Sequence, residues 1–171
     1  MDKTMKLTVG DIEVEVKMSE EDFAKLSKAK EPKRTGYERA EKKAPYYHSN
    51  SYNFVSALYD DRDSSDATLY NSANYYTDKT LAENNARADM LMRQLRRFAA
   101  ENCEEVKWDG NCHCHWYIYY NCTSKKIDID ETTNCKRFGV IHFDTEENAQ
   151  KAIDTFKDEL MWYFTEYRDR V

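Results

Sequence analysis

The sequence predicts an α+β fold: an antiparallel sheet with two long helices on one face, preceded by a small ββα appendage. Three observations carry that expectation. Apolar and polar residues alternate over 6–17, the period of a strand, and the short apolar segments Trp116 to Tyr120, Ile127 to Ile129 and Phe138 to Phe143 read as three further strands. Apolar residues recur at helical spacing over 77–102 and 144–171. Strands followed by a helix, twice in succession, suit a two-layer design.

Taken in order, Leu7, Val9, Ile12, Val14 and Val16 flank Gly10-Asp11, a β-hairpin signal. Ser19 precedes Glu20, Glu21 and Asp22 and predicts a capped helix whose acids meet the positive end of its dipole. Residues 1–28 are therefore expected to form the ββα appendage. Residues 29–44 are rich in Lys and Arg, contain Pro32 and Gly36, and offer little to bury, so they are expected to be a basic tether. The main α+β domain is placed at 45–171.

Within it, Tyr46-Tyr47-His48 and Ser51 to Leu58 suit two strands around Ser49-Asn50. The acidic, Ser-rich stretch from Asp60 to Asp66 predicts a surface loop, and Tyr70 to Tyr76 a further extended piece. Thr77 is expected to cap a helix reaching about Asn102, with Leu81, Ala88, Leu91, Leu95 and Phe98 on its apolar stripe. Three strands follow, Trp116 to Tyr120, Ile127 to Ile129 and Phe138 to Phe143. Asp144 or Thr145 then caps a last helix running to the C-terminus. A faint echo links Tyr76-Thr77 with Ala82-Glu83 to Phe143-Asp144 with Ala149-Gln150, an aromatic, a cap and a small residue at identical spacings.

Composition bounds the function. With 171 residues, net charge −6, 4 Gly and 2 Pro, the chain is neither collagenous nor linker-like and is long enough to bury a core. Its longest apolar runs, Trp116 to Tyr120 and Leu160 to Phe164, fall far short of the roughly 18–20 residues of a spanning helix, so no membrane segment is expected. The N-terminus lacks an apolar signal region, which predicts a cytoplasmic protein with reduced thiols. The aromatic load is unusual: 13 Tyr, 7 Phe and 3 Trp at a mean hydropathy of −0.95.

Cys103, Cys112, His113, Cys114, His115 and Cys122 raise the question of zinc, yet no C-x-x-C knuckle is present. Alternation through a strand would turn the two cysteines of 112–115 to one face and the two histidines to the other. No cofactor or metal is expected. Glycine-rich phosphate loops, H-E-x-x-H and serine-nucleophile motifs are absent, and no thiol–imidazole pair is singled out, so the chain is expected not to be an enzyme. A zinc or thiol enzyme stays as an alternative.

Tyr46, Tyr47, Tyr52, Phe54 and the Tyr-rich 117–120 strand could stack on bases, and Arg87, Arg93, Arg96 and Arg97 mark a basic sector on the first long helix. A net charge of −6 argues against direct nucleic-acid binding, which stands as the second alternative. Acids point instead to a positively charged partner. Asp60, Asp61, Asp63 and Asp66 crowd one stretch, and Glu104 and Glu105 follow the first long helix; these six are the candidate partner-binding residues. Met161 and Trp162 flank the core stripe of the last helix and predict a second covering surface there, either the N-terminal segments or a homodimer partner.

From Tyr46 to the C-terminus the sequence resembles small proteins of unknown function encoded in phages, prophages and mobile elements of Gram-positive gut bacteria. The residues that carry this are Ala73-Asn74-Tyr75-Tyr76-Thr77-Asp78-Lys79, Leu95-Arg96-Arg97-Phe98-Ala99, the 116–120 strand, and the run from Phe138 to Ala149. The resemblance brings no catalytic residues. It implies a phage accessory protein of the host cytoplasm that inhibits a bacterial defence system. The expected partner is a host defence protein such as a CRISPR nuclease, bound directly in the anti-CRISPR manner.

Overall fold

The computed structural model describes residues 3–9, 12–27, 34–109, 111 and 113–167. It divides into two compact units, Met1–Arg34 and Thr35–Val171. In the first, β1 (Lys3–Val9) and β2 (Ile12–Met18) pair antiparallel, with Val9 opposite Ile12. Helix α1 (Glu20–Ser27) follows. The Ser19 hydroxyl accepts from the Asp22 amide at 3.1 Å and donates to its carboxylate at 2.7 Å, closing the first turn as a cap. The ββα order is as expected, while the Gly10-Asp11 turn lies outside the described residues.

The stretch expected to be a tether differs. Residues 28–33 lie outside the described residues, but Thr35 to Ala44 belong to the second unit and pack into it. The Glu38 carboxylate accepts from the amides of Thr35 and Gly36 and from the Thr35 hydroxyl. Gly36 has φ +90, and a Cβ on it would stand 2.7 Å from Leu81 Cδ2; its carbonyl accepts from the Thr77 amide at 2.8 Å. Ala40 is buried against Tyr46 and Tyr75. Charged residues make up half of Thr35 to Ala44, but small and aromatic residues do the docking.

Strands β3 (Pro45–Ser49) and β4 (Val55–Tyr59) form a separate ribbon with Tyr47 opposite Ala57. On its other side Tyr47 exchanges both backbone hydrogen bonds with Tyr76, at 2.7 and 2.9 Å. Between them lies helix α2 (Ser64–Asn71), where a loop and an extended piece were expected. Its cap is reciprocal: Asp63 accepts from the Asp66 amide and Asp66 from the Asp63 amide, so the acids that looked like solvent-facing loop start a helix.

Helix α3 (Lys79–Asn102) is capped by Asp78, which accepts from the Leu81 amide at 3.0 Å; the expected cap was Thr77. Strands β5 (His115–Asn121), β6 (Lys126–Thr132) and β7 (His142–Phe143) make a three-stranded antiparallel sheet in the order β6-β5-β7. The strand expected over Phe138 to Phe143 shrinks to its last two residues, because Gly139 turns the chain at φ +73. Helix α4 (Glu146–Thr165) is capped by Thr145 and departs from helical geometry at Phe156. The fold is α+β, with its strands in separate sheets instead of the single sheet expected.

The main core joins Leu91 and Leu95 of α3, Ala149, Ala152, Ile153 and Leu160 of α4, and Phe143, with Trp116, Ile118, Ile127 and Ile129 closing it from the sheet. Two smaller clusters surround Tyr46 and Tyr75, and Tyr76, Leu81 and Ala82. The sequence echo has a physical counterpart. Tyr76 and Phe143 are each buried at the end of an extended segment, Asp78 and Thr145 cap the helices that follow, and Ala82 and Ala149 are buried at matching positions. Among the described residues no helix is long and apolar enough to cross a membrane.

Candidate functional site

The six expected partner-binding acids separate into three groups. Asp60 and Asp66 are 0% and 4% exposed and are withdrawn from any partner. Asp60 accepts from Arg39 Nε at 3.0 Å, the Tyr75 hydroxyl at 2.9 Å and the Arg62 amide at 2.8 Å. Asp66 accepts from the Tyr46 hydroxyl at 2.8 Å, and the rings of Tyr46 and Tyr75 stack at 4.0 Å. A buried carboxylate needs such partners, since an unpaired one would cost several kcal/mol (~3–5). The Arg39 hydrogen bond leads in holding the Asp60 carboxyl down at about 2, against its burial. Burial, then the bond to Asp60, pushes Tyr75 up to about 12, and burial likewise raises Tyr46.

Asp61 and Asp63 stay at the surface, Asp61 facing Lys43 at 3.6 Å and Asp63 spent on the α2 cap. Glu104 and Glu105 are exposed as expected. They leave the C-terminal end of α3 where it meets the start of α4. There the Glu104 amide donates to Asp144 at 2.9 Å, and Asn148 Nδ2 bridges the Asn102 carbonyl and Asp144 at 2.9 and 2.8 Å. Burial opposes the Asp144 charge, but Asn148, the Glu104 amide and the Cys103 thiol outweigh it and hold the carboxyl below its ordinary value. With Glu101, Glu146 and Glu147 this junction is an acidic pole, and Lys107 stands among its acids.

The thiol and imidazole cluster does not assemble. Cys112 lies outside the described residues; Cys103, Cys114, Cys122 and Cys135 form no disulfide with one another. Burial raises Cys103, the opposite of what a nucleophile needs. His113 faces Asp109 at 3.6 Å, whereas His115 and His142 are covered by the Trp108 ring at 4.1 and 5.0 Å. Burial leads in lowering His142, with His115, Lys136 and Arg137 adding to it. Among the described residues no three His, Cys, Asp or Glu side chains converge on a metal position.

Trp162, expected to be covered by the N-terminal segments or by a homodimer partner, is 8% exposed and meets residues of its own chain. The Arg87 guanidinium lies 3.9 Å over its ring, held there by a forked pair with Glu159 at 2.8 and 3.0 Å, and Tyr167 packs alongside at 5.6 Å. Met161 is half-buried. Arg87 of α3 thus supplies cover over Trp162 that was expected from the N-terminal segments or a second subunit.

Of the aromatic platforms expected, Tyr46 and Tyr117 are buried, and Arg137 occupies the Tyr117 ring at 4.5 Å while its hydroxyl donates to Asp130. Among the described residues the rings that face solvent include Tyr52 and Phe54 on the β3–β4 turn, Tyr59 at the end of β4, Tyr70 on α2, and Phe138. An apolar cavity of about 210 Å³ between α3, α4 and residues 139–141 is below the roughly 300 Å³ of an ordinary small-molecule site and reads as core. Sequence reasoning missed that Lys136 and Arg137 come beside Arg96 of α3. The available signal was the dipeptide itself, next to a glycine that interrupts an apolar run. Comparison with known proteins finds no matching family model, no matching curated protein and no matching solved structure.

Proposed function

We propose that the protein is a stoichiometric inhibitor that binds a nucleic-acid enzyme of a bacterial defence system through its acidic pole. The observation that supports this reading is the junction of α3 and α4. Glu101, Glu104, Glu105, Glu146 and Glu147 are exposed there on a backbone fixed by the Asn148 and Asp144 hydrogen bonds. A preorganised group of carboxylates competes for the kind of groove that receives phosphates, because it offers the same charge without a cleavable bond. The resemblance to small phage and prophage proteins of unknown function supports this reading only by context, since anti-defence inhibitors that bind a nuclease directly are among the roles such proteins take. The reading keeps Glu104 and Glu105 from the sequence and gives up Asp60 and Asp66, whose charges are spent inside the fold.

Co-purification with a guide-loaded CRISPR nuclease, followed by a DNA-cleavage assay, tests it. A complex that suppresses cleavage and is lost on Glu104→Lys with Glu105→Lys is the expected result. No complex and undiminished cleavage across the main effector types would remove the proposal.

A further inference from the structure

Two of the four arginines on α3 are tied down and two are not. Arg87 is forked to Glu159, and Arg97 lies 4.0 Å from Glu101. Arg93 and Arg96 meet no carboxylate at ion-pair distance among the described residues. They line a polar cleft of about 440 Å³ opposite the β3–β4 turn. Through Arg96 and Met92, which wall both, this cleft continues into another of about 430 Å³ bounded by Lys136, Arg137 and Phe138. Asp89 is the acid on this strip. At one end the turn carries Tyr52, 78% exposed, between Ser51 and Asn53 of the cleft wall, while Phe54 borders a separate cleft with Glu83 and Arg87; at the other stands Phe138, at 105% wholly in solvent.

Cations along a groove and solvent-facing rings at both ends require different partners if taken singly. An apolar protein surface would not use the arginines, and a bare polyanion would not use the rings. Unpaired bases on a phosphate backbone use both, because each base presents a face for stacking and each phosphate a charge for guanidinium or ammonium. The net charge of −6 does not oppose this: Glu101, the nearest acid of the pole, is only about 7.5 Å further along α3 than Arg96 but about 140° around the helix from it, so the acids and the strip occupy different sides, and at about 0.1 M salt a charge acts over only ~10 Å. We propose that this strip binds single-stranded nucleic acid, with phosphates on Arg93, Arg96 and Lys136 and bases against Phe138 and Tyr52. The proposal stands apart from the acidic pole and does not depend on it.

Fluorescence anisotropy with labelled single-stranded DNA and RNA, the matching duplex and a labelled polyglutamate peptide decides the matter. Single strands are expected to bind most tightly. Arg96→Ala with Lys136→Ala should weaken that binding roughly ten-fold and flatten the slope of log affinity against log salt by about 1.4, near 0.7 for each phosphate no longer neutralised. Phe138→Ala should cost roughly ten-fold while leaving the slope unchanged, the signature of stacking. Lys157→Ala, on the exposed side of α4, should change neither. Absence of single-strand binding at low salt, tighter binding of the duplex or the peptide, or an equal loss from Lys157→Ala would overturn the proposal.

Discussion

Around the first half of α3 the protein is held by tyrosines and carboxylates; around the second half it is held by carbon. In the first region Tyr46, Tyr75, Asp60 and Asp66, with the partly buried Arg39, exchange hydrogen bonds beside Ala40, Ala44 and Leu69, and the neighbouring apolar cluster is small, Leu81, Ala82 and Val55 among tyrosine rings. In the second, Leu91, Leu95, Phe143, Ile153 and Leu160 meet with no ionised group among them. The two arrangements differ in how they fail. A polar core depends on every partner being present and correctly protonated, whereas an apolar core loses stability in proportion to the carbon removed.

The sharpest separation comes from one substitution in each region. Phe143→Ala is expected to cost about 3–5 kcal/mol by cavity formation, and equally at every pH. Asp60→Asn is expected to cost about 3 kcal/mol at neutral pH, because Arg39 and Tyr75 keep their buried donors and lose a charged acceptor. Urea unfolding over a range of pH, with hydrogen exchange to locate the loosened amides, distinguishes the two. If Asp60→Asn opens the Phe143 region as readily as its own, the contrast between the regions fails.

A smaller change needs no substitution. Asp60 and Glu38 are both held at about 2 when folded, while unfolded carboxyls titrate near about 4. Folded values below unfolded ones mean that their contribution is complete above about pH 4 and is lost as pH falls towards 2. The melting temperature should therefore drop through that window, with amides between residues 38 and 75 exchanging first. Asp60→Asn should make the drop shallower. An equal loss of protection at Leu91 and Leu95 would blur the comparison.

The least effect is expected from Asp63→Ala, which removes the α2 cap and costs about 1 kcal/mol by thermal unfolding. If it costs nothing, α2 is held by Tyr46 and Asp66 and not by its own start.

The same contrast governs what could be read from the sequence. Helices α3 and α4 and strands β5 and β6 were legible because their apolar residues repeat at 3.6 or 2, and repetition survives without knowledge of neighbours. The α2 region was not, since Asp60 and Asp66 look like solvated loop until Arg39, Tyr46 and Tyr75 are brought to them from elsewhere in the chain. Trp162 needs cover, as its place off the core stripe implies, but that cover is Arg87, a residue that reads as surface. The strip at Arg96 and Phe138 stayed hidden for the opposite reason. An apolar run that looked like strand is broken by Gly139 and leaves its phenylalanine outside.

Helix α3 has a further consequence for how the second unit comes together in time. It is a single rod of 24 residues, about 36 Å long, with Leu81 and Ala82 committed to one cluster and Leu91 and Leu95 to another. Nucleating a helix is the slow event, and extending it takes nanoseconds per residue. Whichever end is caught first by its neighbours delivers the other end already wound and facing the right way. The chain therefore closes its second cluster on a finished template, and an interruption near Arg87, midway along the rod, would slow assembly more than it lowers final stability.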